Sequence, residues 1–126
     1  MATILLVDDD AGFLAALERL FVQDGHRVCR AADPAAALEA AGDDADGVEL
    51  VIADLDLRPE SGLELLRELR RRGSSVPLIL LSAAPDASTY LEALRLGVYE
   101  YFSKPLDFAE LRQVVNRALA PARRVA

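Results

Sequence analysis

A single cysteine, Cys29, stands in the 126 residues, so no internal disulfide can form within the chain. Its setting in Val28-Cys29-Arg30 reads as a small apolar filler in a strand, which fits a reducing compartment. An excess of basic residues is missing too. The formal net charge is −7 and the pI is near 4.6, whereas nucleic-acid affinity rests on Lys and Arg displacing counterions. Direct nucleic-acid binding is therefore not expected. The sequence does not open with a basic segment leading into a long apolar stretch, and no apolar run reaches membrane-spanning length. A soluble, cytoplasmic chain with no membrane partner is the expectation. Internal repeats and low-complexity linkers are absent as well. With 52% hydrophobic residues the chain can close one core but not two. The expected organisation is one domain over residues 1–120, with Pro121 to Ala126, including Arg123 and Arg124, as a tail or the start of a linker.

Apolar runs of strand length alternate five times with amphipathic stretches of helix length. That pattern predicts an α/β fold, a doubly wound five-stranded parallel sheet with helices on both faces. Strands are expected near 3–7, 26–31, 49–54, 76–82 and 98–102. Asp33 followed by Pro34 reads as an N-cap with proline in the first turn. Ser61 with Glu64, and Asp107 with Glu110, have the spacing of a capping box. Gly25, Gly73 and Gly97 each follow a helical stretch, where a left-handed residue is least costly as glycine. Phe13, Leu17, Leu20 and Phe21 recur at helical spacing, as do Phe108, Leu111, Val115 and Leu119. Both sets read as core. Ala35 to Ala45 predicts a helix running into a solvated loop around Asp43 to Gly47. The only histidine, His26, reads as a surface residue at the start of the second strand.

Ile4 to Val7 run straight into Asp8, Asp9 and Asp10. Two carboxylates about 4 Å apart repel by roughly 4 kcal/mol at an effective dielectric near 20, so such a cluster calls for a cation, a lysine or water. Asp10 reads as a helix N-cap, leaving Asp8 and Asp9 for the cation. In an open α/β sheet, ligands bind at the carboxyl ends of strands. Those ends deliver Asp8 and Asp9, then Asp54, then Ser82, then Lys104. Together they hold the parts for phosphoryl transfer onto a carboxylate: a nucleophile, a hard cation held by oxygens, and donors for the phosphoryl oxygens. Asp54, central and alone on its strand end, is the expected nucleophile. Magnesium ligands would be Asp8, Asp9 and Asp54, with a backbone carbonyl near Asp56. Lys104 would pair with the charge, and Ser82 would hydrogen-bond the transferred group.

On these residues the chain resembles a receiver domain of a bacterial two-component response regulator, from about Thr3 to Leu119. The resemblance is carried by Asp8-Asp9 after an apolar strand, Asp54 with Gly62 eight residues on, Ser82-Ala83, Tyr101 and Lys104-Pro105. It implies the flavodoxin-like strand order 2-1-3-4-5. It also implies that Asp54 accepts phosphate from a histidine kinase or phosphotransfer partner, with Mg2+ on Asp8 and Asp9 and Lys104 on the acyl phosphate. Ser82 and Tyr101 would be the switch pair, and small Ala83 would leave room for the phosphate. The output face would be the fourth helix, fifth strand and fifth helix, around Tyr90 to Gly97 and Tyr101 to Val115, with homodimerisation through it possible. A kinase would dock by Ala11, Gly12, Leu14 and Pro105. Such a chain is a signalling phosphoacceptor rather than an enzyme.

Two departures from the family pattern stand out. Arg58 followed by Pro59 occupies the place where proline usually comes four residues after the acceptor, which implies a reshaped loop. Asp56 puts an acid at a position that bears on hydrolysis of the acyl phosphate, so it is expected to alter the lifetime of the phosphorylated state. Two rival readings remain. Asp54-Leu55-Asp56 resembles the first motif of haloacid-dehalogenase-type phosphatases, which would need further acids after Lys104, where only Asp107 and Glu110 follow. A receiver-like scaffold that is never phosphorylated is the other.

Overall fold

The structure, a computed structural model, describes residues 2–41, 47–57 and 61–120. Its elements alternate without exception: β1 (Thr3–Val7), α1 (Ala11–Gln23), β2 (Arg27–Ala31), α2 (Pro34–Ala41), β3 (Leu50–Asp54), α3 (Gly62–Arg71), β4 (Leu78–Ser82), α4 (Ala87–Arg95), β5 (Glu100–Ser103) and α5 (Phe108–Leu119). All four strand pairings are parallel, and the order is β2-β1-β3-β4-β5. The expected doubly wound sheet is present. β1 starts where its apolar run does, and the other four strands start one or two residues later than theirs suggest. At β4 the reason is visible: Pro77 has no N–H to give a ladder, and Val76 donates its own to Ser74 Oγ.

Strands buried on both faces need apolar residues at every position, and β3 and β4 have them up to their last residue. The period of two then sorts the side chains. Ile4, Leu6, Leu50, Ile52, Ile79 and Leu81 pack with α1 and α5 through Leu14, Leu17, Phe21, Leu111, Val114 and Val115. Leu5, Val7, Val51, Ala53, Leu78 and Leu80 pack with α2, α3 and α4 through Ala37, Leu65, Leu66, Leu69 and Ala93.

Caps set the helix starts. Asp10, Asp33, Ser61 and Asp107 each accept backbone N–H groups of the first turn, from Phe13, Ala36, Glu64, and Ala109 with Glu110. Gly25, Gly73 and Gly97 all have φ near +80 to +90°, as expected of left-handed residues after a helix.

Phe108 departs from expectation. It is exposed rather than core, because α5 begins beyond the carboxyl end of β5, where no sheet lies beneath its first residue. Leu14, by contrast, is buried under α1 and is not a surface docking residue; Ala11 and Gly12 are exposed. His26 is half-buried, its Nδ1 accepting the Ala2 N–H at 3.3 Å, at the end of the sheet opposite the acid cluster. The loop at Arg58 and Pro59, the acidic stretch 43–46 and the tail 121–126 lie outside the described residues.

Candidate functional site: an acid cluster bridged by lysine

Strand register builds the site. Val7 pairs with Ala53, so Asp8 and Asp54, each one residue further, stand side by side on neighbouring strands. Parallel strands lie about 4.8 Å apart, which forces the two carboxylates together. Alternation also decides the face. Asp8 continues the Ile4-Leu6 row, Asp54 the Leu50-Ile52 row, and Lys104 follows Phe102, so all three emerge on the α1/α5 side. Ser82 follows Leu80 and shares the other side with Tyr101.

Asp8 and Asp54 are almost fully buried, at 2% and 5% exposure, and Ser82 is at 0%; a charge so enclosed must be paired. Each aspartate divides its oxygens in the same way. Asp8 Oδ1 accepts the Asp10 N–H at 2.9 Å, and Asp54 Oδ1 accepts the Asp56 N–H at 2.9 Å. The remaining oxygens both face Lys104 Nζ, at 3.3 Å each. Lys104 reaches them across the Phe13 ring, with Nζ 4.5 Å from its centroid, a cation–π arrangement. Its own backbone N–H is tied to Ser82 O at 2.8 Å. The peptide bond that follows, to Pro105, is cis.

Electrostatics follow from this packing. Burial pushes the Asp8 carboxyl up from its ordinary value, the Asp10 amide opposes it, and the charge of Asp54 adds to the rise. Burial pulls the Lys104 ammonium down, but the attraction of Asp8 and Asp54 outweighs it and leaves the amine above its ordinary value. One ammonium thus serves two carboxylates, and Asp9, exposed at the mouth, adds a third acid.

The donor set suits a hard cation. Asp8, Asp9 and Asp54 each offer an oxygen, all within 4.8 Å of one another. Oxygens bound to magnesium at about 2.1 Å lie about 3 to 4 Å apart around the ion, so small inward shifts complete the fit. Asp10 is not part of it, since its side chain caps α1.

Ser82 and Tyr101 lie behind this rim. Ser82 Oγ accepts the Ala84 N–H at 3.2 Å. The Tyr101 hydroxyl is buried with no hydrogen-bond partner among the described residues, although Ser82 is close enough to influence it. Burial pushes its pKa up. Its ring meets Tyr90 of α4 edge-on, with centroids 5.5 Å apart. Asp107, needed as a metal ligand by a phosphatase, instead spends its carboxylate on the amides of Ala109 and Glu110.

Two residues singled out in the sequence make contacts that the sequence does not reveal. A Cβ on Gly62 would stand 2.5 Å from the Asp54 carbonyl oxygen, so only glycine lets α3 start this close against β3. Asp56 Oδ2 accepts the Ala83 N–H at 3.3 Å, a contact across 27 residues that no local pattern announces.

Fold and rim together define a class: an open parallel α/β domain that gathers three acids, a lysine and a hydroxyl at its strand ends. The chain belongs to the response regulator receiver domain family, which it matches over residues 4–116. It is 34% identical to the transcriptional regulatory protein ZraR of Klebsiella oxytoca, over 95% of this chain and 27% of that protein. It is also 34% identical to the DNA-binding transcriptional regulator NtrC of Rhizobium meliloti (strain 1021), over 98% of this chain and 25% of that protein. The chain therefore spans about a quarter of the length of these relatives. Among solved structures, the non-phosphorylated HemR receiver domain from Leptospira biflexa superposes with a TM-score of 0.89 at 28% identity, covering 100% of both chains. Receiver domains of response regulators are phosphorylated by histidine kinases and generally bind Mg2+ at an acidic cluster, so this is a signalling domain rather than a typical enzyme. No helix among the described residues is long and apolar enough to cross a membrane.

Proposed function

We propose that the chain is a phosphoacceptor in a two-component relay, with the receiver unit spanning residues 1–120 and Asp54 as the acceptor. The observation that carries this is the buried Asp8–Asp54 pair bridged by Lys104. Asp54 sits at a strand end with one oxygen held by a backbone amide and the other against an ammonium, which fixes the carboxylate for in-line attack. Its oxygen forms a bond to phosphorus as the bond from phosphorus to the partner's imidazole nitrogen breaks, and the electron pair leaves with that nitrogen. Lys104 keeps its proton and stabilises the charge of the acyl phosphate. Ser82, at the end of β4, donates its hydroxyl hydrogen to a phosphoryl oxygen. Asp8, Asp9, Asp54 and the Asp56 carbonyl would hold Mg2+, whose chemistry there is to neutralise charge developing on the phosphoryl oxygens.

The donor is a histidine kinase or phosphotransfer domain that docks beside Ala11, Gly12 and Pro105, all exposed. The output runs from Ser82 through Tyr101 to the α4-β5-α5 face, where Tyr90, Leu91, Leu94 and Tyr99 are exposed and a homodimer or an effector can bind. The added phosphoryl shifts the population between two arrangements of that face by its differential interaction with them. Such a relay operates in the cytoplasm. Intact mass after incubation with acetyl phosphate and magnesium tests the acceptor. The parent should gain one phosphoryl group and Asp54→Ala none; an adduct on both would sink the assignment.

A further inference from the structure

Asp56 stands at the rim outside its ion pairs, since among the described residues Lys104 bonds Asp8 and Asp54. It makes two other bonds. Its backbone N–H donates to Asp54 Oδ1 at 2.9 Å, and its Oδ2 accepts the Ala83 N–H at 3.3 Å. A single residue thus spans from the acceptor carboxylate to the first amide beyond β4. The strand ends beneath it are fixed, because Asp54 pairs with Leu81 and the Leu55 N–H donates to Leu81 O at 2.7 Å. The next amide, of Ala84, is held by Ser82 Oγ. Both amides that follow Ser82 are therefore engaged by side chains, one of them by a carboxylate from the turn after β3.

A phosphoryl group on Asp54 adds negative charge and three strong acceptor oxygens at this spot. Asp56 meets it in two ways: as a like charge and as a rival for the Ala83 N–H. We propose that Asp56 is a positioning residue whose carboxylate holds the Ala83 amide, and with it the entry to α4, in the unmodified chain and surrenders that amide to an anion on Asp54. This deepens, and rests on, the reading of Asp54 as the phosphoacceptor. It gives Asp56 a sign. The residue opposes anion uptake at Asp54, because each uptake must first break the tie, and release of Ala83 frees its neighbour Ser82 to move with it.

Beryllium fluoride with magnesium, a tetrahedral mimic of the phosphoryl group, tests this against the parent, Asp56→Asn and Asp56→Ala. The Ala83 amide is followed by proton–nitrogen NMR in the same samples. Asp56→Ala should bind the mimic about 3- to 10-fold more tightly, the worth of one net hydrogen bond, with Asp56→Asn in between because it keeps an acceptor but not the charge. Without the mimic, the Ala83 amide should shift upfield and exchange faster in Asp56→Ala than in the parent. Equal affinities in the three proteins overturn the tie while leaving the acceptor reading in place. If no protein binds the mimic, the acceptor reading falls, and the Ala83 amide still decides the tie: an unchanged signal in Asp56→Ala overturns it.

Discussion

Asp8 and Asp54 present matching halves to the site, each with one oxygen pinned by the amide two residues on and the other turned to Lys104. The carboxylates are oriented before any cation arrives, so binding need not order them. Burial sets the pH behaviour. Asp8 has its carboxyl raised above 3.8, and metal ligation needs it ionised, so magnesium affinity should fall with acid at a higher pH than a free aspartate would give. Calorimetric titrations from about pH 8 down to about pH 4 would show this; affinity unchanged until the ordinary carboxylate range would contradict it. The effect on the metal-free fold has the opposite sign. A carboxyl more readily protonated when folded favours the fold at low pH, and that contribution is lost as pH rises from 3.8 through the raised folded value. Lys104, raised in its turn, favours the fold below 10.5 and loses that contribution as pH climbs through its folded value.

At the scale of elements, α4 is the helix with the least beneath it. Only Ala93 is buried, while Tyr90, Leu91 and Leu94 are exposed. Its C-terminal end is fastened instead by polar bonds from α3. Arg70 donates to Leu96 O at 2.9 Å and Gly97 O at 3.2 Å while a third bond, to Ser74 O at 3.0 Å, anchors it to the end of its own helix, and Arg67 pairs with Glu92 at 3.4 Å. Arg70→Ala should destabilise the fold by about 1 to 3 kcal/mol, since hydrogen bonds from a charged donor are among the stronger ones. Hydrogen exchange should quicken across α4 and its following turn and leave α1 unchanged; uniform quickening would mean α4 is no separate unit. None of this was legible in Arg70-Arg71-Arg72, because the helical pattern does not say which arginine turns inward; Arg71 and Arg72 pair with Glu68 on the surface. Strands and helix starts were legible because continuous apolar runs of strand length and Asp or Ser caps are local signals. Phe108 misled because periodicity says which side a residue faces but not whether anything lies there. Asp8, Asp54, Ser82 and Lys104 could be gathered from sequence because a parallel sheet puts its strand ends at one rim. The Asp56–Ala83 tie could not, since it depends on the shape of two loops.

Across the whole molecule, a net charge of −7 with three acids converging at one rim should make the fold respond to divalent cations. Magnesium at ten times its dissociation constant should stabilise the folded state by about 1.4 kcal/mol, which raises the melting temperature by about 5 °C for a domain of this size. Thermal melts of the parent and Asp9→Asn check it: the shift should vanish in the variant, and its survival would remove Asp9 from the metal site. The bridge across the rim has a practical consequence as well. Lys104 is the only lysine in the chain, every other side-chain cation apart from His26 being arginine. A sample labelled with isotopic lysine therefore carries one side-chain ammonium resonance, placed between Asp8 and Asp54, and the site supplies its own spectroscopic reporter without a foreign probe.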